Sequence, residues 1–348
     1  MTLALAVSAC WTSVHAAECT EPTPECVAAL KAHAVRFEDY WKSALALPFE
    51  QRIGPAPAEV VDYITRDNIM RGFPNRPKVS GLPPEFRADV EQAFREIPEP
   101  VRRRIENKLA GIYFTVDLGG TGFTEAITSA DGSERTGFIV LDSTVLGLRK
   151  ANAWAAWKEN SPFAPEPGYR LAAEIEEPAN DNRRNAIQYI LLHELGHVLS
   201  IGEQIHPPWT VLPQHVAATA GLEYFALSWA PPNGAERYAS LFDERFPQRE
   251  HVMYYFGANL MLSQAAVVYE ELRATNFPTL YAATSPGDDW AEGFASYIHT
   301  VMMGKPFRIR IYQAGQLVED YGPCWEEPRC AGKRRIIEKF LRMSSTQP

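Results

Sequence analysis

Basic residues are the minority charge in this 348-residue chain, with 34 Lys and Arg against 43 Asp and Glu and a net charge of −9. A surface that tracks phosphates needs a net basic face, which excludes nucleic acid as the main partner. The short basic runs Arg102–Arg104 and Lys333–Arg335 lie among acids and read as solvated helix faces. Long apolar runs are missing too, since beyond the first residues no stretch is long enough to span a bilayer. No internal period marks a repeat array. At 46% hydrophobic content the chain is too apolar to stay disordered, and it is long enough for two packed subdomains.

Cysteine is scarce, with five in all. Apart from Cys10 they form two close pairs, Cys19 with Cys26 and Cys324 with Cys330, one near each end of the chain. Four cysteines allow three connectivities, of which two local loops are the simplest. The start of the chain points to an oxidising compartment. Residues 1–16 look like a secretory signal, with an apolar run Leu3–Val7 and small residues at Val14-His15-Ala16, although no Lys or Arg precedes the run. Val7-Ser8-Ala9-Cys10 also resembles a bacterial lipobox, which would leave Cys10 as a lipid anchor. The expectation is a secreted or periplasmic protein, with a lipoprotein as the variant of it.

Periodicity divides the rest. Cys26–Leu47 carries a helical apolar stripe, and Pro-rich linkers follow at 55–57 and 74–84. Pro84–Ile97 and Pro100–Ala110 read as helices. The period then changes to that of strands at Gly111–Asp117, Phe123–Ile127 and Phe138–Leu141. From Asn182 the chain reads as helical almost to its end. Helices, a small sheet and helices again make an α+β protein. The expected organisation is a signal at 1–16, an N-terminal helical region at 17–104, a sheet subdomain at 105–203 and a helical C-terminal subdomain at 204–348.

Residues 193–197 read His-Glu-Leu-Gly-His. Helical residues four apart share a face, so His193 and His197 can present two imidazoles to one metal ion. Glu194, rotated by about 100°, can reach a water beside that metal without ligating it. A catalytic zinc site takes three protein ligands. The metzincin pattern fails, because Ser200 and Glu203 stand where Gly and His are needed. Glu203 and His206 are weak alternatives. A stronger candidate lies in Ser285-Pro-Gly-Asp-Asp-Trp-Ala-Glu-Gly-Phe-Ala-Ser-Tyr297. There Ser285 suits the N-cap, Pro286 the first turn and Asp288 a capping-box position. Glu292 lies off the apolar stripe of this helix. The small Ala291, Gly293 and Ala295 around it would let a second helix approach closely.

HExxH followed by a distant helix reading Trp-Ala-Glu-Gly-Phe-Ala resembles the gluzincin class of zinc metallopeptidases, and the glutamate helix is similar to that of lethal-factor-type peptidases. The match covers two short helices. The resemblance implies a zincin-like fold with one Zn2+ per chain, His193, His197 and Glu292 as ligands, and Glu194 as general base. It also implies a Tyr or His that stabilises the oxyanion, for which Tyr281 is the first choice, ahead of His251, Tyr254, Tyr255 and Tyr297. Asp288 or Asp289 would orient a ligand imidazole or serve as a helix-terminal charge. An edge strand before the active-site helix would pair with extended substrate, and Phe138–Leu141 is the candidate. The Gly-x-Met-Glu-Asn type of motif that holds a free N-terminus in zinc aminopeptidases is missing, which favours an endopeptidase acting on a peptide or protein. A non-catalytic zinc-containing protein-binding module of the same fold is the alternative.

Overall fold

The computed structural model describes residues 19–342, apart from 106, 210, 212, 217–218 and 232–236. The signal-like segment and Cys10 lie outside the described residues. In chain order the helices are α1 (Pro24–Lys31), α2 (Glu38–Leu45), α3 (Ala58–Arg71), α4 (Pro84–Arg95), α5 (Glu99–Ile105), α6 (Ser143–Gly147), α7 (Ala151–Asn160), α8 (Arg183–Ser200), α9 (Ala265–Arg273), α10 (Pro286–Tyr297) and α11 (Ala331–Arg342). The strands are β1 (Ile53–Pro55), β2 (Lys78–Val79), β3 (Leu109–Val116), β4 (Gly122–Thr128), β5 (Glu134–Asp142), β6 (Phe163–Ala164), β7 (Tyr169–Glu174), β8 (Leu260–Met261), β9 (Arg308–Gln313) and β10 (Gln316–Tyr321).

The main sheet is mixed and runs β1-β3-β5-β4, with β2 also paired to β3. β3 and β5 are parallel, whereas β4 returns antiparallel to β5. Both sheet faces are covered, which is why β3 is apolar nearly throughout. Alternate residues divide between two cores. Ile112, Phe114, Ile139 and Leu141 pack with α4, α5, α7 and α8, while Tyr113, Phe138, Val140 and Ile127 pack with α2 and α3. The chain is thus α+β, a small mixed sheet with the HExxH-bearing α8 packed against C-terminal helices, consistent with a zincin-like arrangement.

Several expectations are corrected. The helical stretch Cys26–Leu47 breaks between α1 and α2, because Phe37 turns extended and bridges to Thr128 of β4. The helix expected over Pro100–Ala110 ends at Ile105, and Leu109 and Ala110 already belong to β3. α3 fills the interval between the two Pro-rich segments. The C-terminal part is not wholly helical, since β9 and β10 form a hairpin that β7 joins. Ala314 and Gly315, both at positive φ, make its turn. Phe138–Leu141 is not an edge strand, because β5 lies between β3 and β4 and the edge is β4. Lys333 is not on a solvated face but wholly buried against Asp289.

Cys19 pairs with Cys26 and Cys324 with Cys330, the two local loops. Two disulfides are consistent with an extracytoplasmic environment. Among the described residues, no helix is long and apolar enough to cross a membrane.

Candidate metal centre

α8 begins at Asn182, whose side chain caps the amide of Asn185. All but three of its 18 residues are buried, so its second half carries His193, Glu194 and His197 to the wall of a cleft from inside the core. Gly196 makes the next contact possible. A Cβ there would stand 2.8 Å from the Ala291 backbone, so α10 lies directly against α8. Trp290 Nε1 donates to the Gly196 carbonyl at 2.9 Å and fixes the crossing.

α10 starts as its sequence indicates. Ser285 accepts from the Asp288 amide, and its hydroxyl donates to Asp288 Oδ2 at 2.7 Å. The adjacent acids then diverge, as residues about 100° apart must. Asp289 faces away and binds Lys333 of α11 and Trp229 Nε1, which holds the helix in rotation. Asp288 faces α8. With Oδ2 held by Ser285, its Oδ1 lies 3.8 Å from His193 Nε2 and 3.6 Å from His197 Nε2, and the two Nε2 atoms are 3.2 Å apart. Donors at 2.0–2.2 Å from one tetrahedral ion lie roughly 3.3–3.6 Å from each other, and these three separations, 3.2–3.8 Å, lie close to that range. His193, His197 and Asp288 are accordingly the group that could hold a metal among the described residues.

Glu292 lies one helical turn further on, at the opposite nitrogen. Its Oε1 is 3.0 Å from His193 Nδ1 and 3.2 Å from Lys158 Nζ, and its Oε2 accepts from Thr279 Oγ1 at 2.8 Å. Burial alone would push this carboxyl up. The Lys158 ammonium and the His193 and Thr279 bonds outweigh it and bring the value down to about 2. For Asp288 burial likewise acts upward, and the two histidines and Ser285 bring its carboxyl below the ordinary range. Burial pulls His193 down, but its bond to Glu292 and the surrounding carboxylates raise it.

Glu194 lies against the edge strand. Thr124 Oγ1 of β4 donates to its Oε2 at 2.6 Å. A Cβ on Gly122 would collide with its Oε1, so only glycine leaves room for the carboxylate. Tyr281 stacks on the His193 ring, with centroids 5.4 Å apart and planes inclined by 19°. Burial first, and then the Asp288 charge, push its phenol well above the ordinary range, so it remains a proton donor. Of the remaining candidates, Tyr255 lines the cleft beside Tyr281, and the others have their own partners or surroundings. Glu203 pairs with Lys108, His206 bonds Ser200, His251 is exposed beside Glu250, Tyr254 bonds Glu159 and Tyr297 bonds Glu338.

The cleft has a volume of about 510 Å³ and is lined by Gly122–Thr124, the HExxH residues, Trp209, Tyr255, Tyr281 and Asp288. Across it Phe73, after α3, stacks on Phe256 of the C-terminal part with centroids 3.8 Å apart. No local pattern singles out Gly122, Thr124, Lys158 or Thr279, because each reaches the site only through the tertiary fold. The HExxH pair with Asp288 is consistent with a gluzincin-type active site. Compared with family models, curated proteins and solved structures, the chain matches none.

Proposed function

We propose that the protein is a zinc-dependent metallopeptidase of the gluzincin type, acting as an endopeptidase on peptide or protein substrates. The observation that carries this is the triangle of His193 Nε2, His197 Nε2 and Asp288 Oδ1, 3.2–3.8 Å apart, with the Glu194 carboxylate of α8 held against the edge strand in the same cleft. In this proposal Asp288 takes the ligand position that the resemblance gave to Glu292, and Glu292 orients His193 from behind. When bound, the zinc supplies Lewis-acid polarisation of the scissile carbonyl and lowers the pKa of water at the open position.

The chain's own residues do the rest. β4 offers the cleft-lining start of its outer edge, Gly122–Thr124, to an extended peptide by β-augmentation, clear of the Phe37 bridge at Thr128. Glu194, held by Thr124, takes the proton of the attacking water and passes it to the leaving amine. Tyr281, kept protonated, donates to the oxyanion as it forms. An export route through the N-terminal segment, and the subdomain boundaries at 104/105 and 203/204, belong to the same proposal.

The test is zinc stoichiometry together with cleavage of an unbiased peptide mixture. The expected result is about one zinc per chain, and on Glu194→Gln a fall in turnover of roughly 10²-fold or more with zinc retained. Zinc without turnover by the wild type would point to the binding module, and no zinc at all would overturn the proposal.

A further inference from the structure

The cleft residues are backed by a cluster of ions of which the chemistry above uses only Glu292. Lys158, on α7, is 2% exposed. Its Nζ lies 3.0 Å from Glu159 Oε1 and 3.2 Å from Glu292 Oε1. Glu159 is equally buried, and its Oε2 accepts from Tyr254 at 2.8 Å and from Tyr269 at 2.9 Å. The ammonium also sits 4.8 Å from the centroid of the Tyr281 ring. Desolvating three ions is unfavourable, and apolar side chains of similar volume would hold α7 to α10 at least as well. The arrangement therefore calls for a role other than adhesion.

That role follows from which atom Lys158 touches. Glu292 Oε1 faces both Lys158 Nζ and His193 Nδ1. A carboxylate that receives an ammonium hydrogen bond is ionised and can only accept. The hydrogen between Oε1 and Nδ1 must then sit on Nδ1, and in the neutral ring this leaves the Nε2 lone pair directed at His197 and Asp288. Thr279 occupies the second oxygen, so the carboxylate is held at both ends.

We propose that Lys158 is a positioning residue for the metal centre, fixing Glu292 as the acceptor that sets the His193 tautomer with Nε2 free to ligate. The link to metal rests on the metallopeptidase proposal; the tautomer is a property of the metal-free protein and is tested there.

The experiment uses the full chain labelled with 15N-histidine, free of metal, as wild type, Lys158→Met, and Lys158→Met combined with Glu159→Gln. The double variant removes one charge of each sign and protects against loss of folding. Wild type is expected to show His193 protonated at Nδ1, and both variants a mixture of tautomers. Competition with a chromogenic chelator is expected to show zinc binding weakened about 10- to 100-fold in both variants, the usual effect of losing an outer partner of a ligand. In a Glu292→Gln background the same lysine change should alter zinc affinity by less than about twofold, because the path runs through Glu292. A purely structural role would destabilise the fold without this coupling. A wild-type His193 whose neutral ring carries its proton on Nε2 would overturn the proposal without any variant. Folded variants with wild-type tautomer and wild-type zinc affinity would overturn it as well. A wild type that binds no zinc would end the metallopeptidase proposal, and the histidine spectra would still decide the role of Lys158.

Discussion

Gly122 shows how a single missing Cβ shapes the candidate site. Its Cα faces the Glu194 carboxylate, and the added methyl of Gly122→Ala would meet Glu194 Oε1 far inside contact distance. The strand backbone is held by its ladder to β5, so the side chain must give way and lose its bond to Thr124. Zinc binding, which uses other residues, should be unchanged, while turnover falls by roughly 10²-fold or more, the scale of a displaced general base. Parallel zinc and peptide-cleavage measurements check this, and full turnover in the variant would disprove it. The same scale explains the one ligand position that sequence could not settle. Asp288 and Glu292 are four apart on one face of α10, separated by about 6 Å along its axis. Both face His193, one at each ring nitrogen. Spacing identifies the helix and its face, but the crossing with α8 decides which of the two carboxylates reaches Nε2.

Among the elements, α8 and α10 pack directly on each other, and the rims of the cleft are built from loops. The loop after α3 carries Phe73 to its stack on Phe256. It is anchored by Asp117, whose carboxylate accepts from Asn75 Nδ2 at 2.6 Å and from the Arg76 amide at 3.1 Å. The Asn75 bond, opposed by slight burial and helped by the Arg76 amide, holds the Asp117 carboxyl below its ordinary value of 3.8. A group depressed in the folded state contributes fully above that ordinary value, and its contribution is lost as pH falls through the lower folded value. Hydrogen exchange of the Arg76 amide, corrected for intrinsic rate, should therefore be protected at neutral pH and lose protection below pH 3.8. Protection that persists unchanged into that acid range would refute the anchor. Strands β3 to β5 are legible from β-branched and aromatic runs bounded by Gly119-Gly120 and Asp131-Gly132. The β9–β10 hairpin also carries a signal, the alternating Arg308–Tyr312 before Ala314-Gly315, but a helical expectation for the whole C-terminal part concealed it.

For the whole molecule, the metal is expected to act as a tie between α8 and α10, since its donors come from both. A ligand that binds only the folded chain stabilises it by about 4 kcal/mol at a thousandfold excess over its Kd. Scanning calorimetry should show a lower Tm after exhaustive chelation and recovery on adding zinc. Equal Tm values in both states would show that no metal joins the two helices. The disulfides add little to this tie, because both close short loops outside the cleft.

By itself the sequence determined the α+β class, the three main strands, the two helices that meet at the candidate site and the candidate residues His193, Glu194 and His197. All of these depend on local patterns: β-branched and aromatic runs, helical spacing, capping residues and a motif with a fixed period. Tertiary structure decided which strand is the edge, which acid of α10 faces the imidazole Nε2 atoms, and that a lysine and a glutamate from α7 lie buried behind them. Those facts depend on strand order and on the angle at which two helices cross. They are set by the packing of residues about a hundred positions apart, which no local spacing encodes.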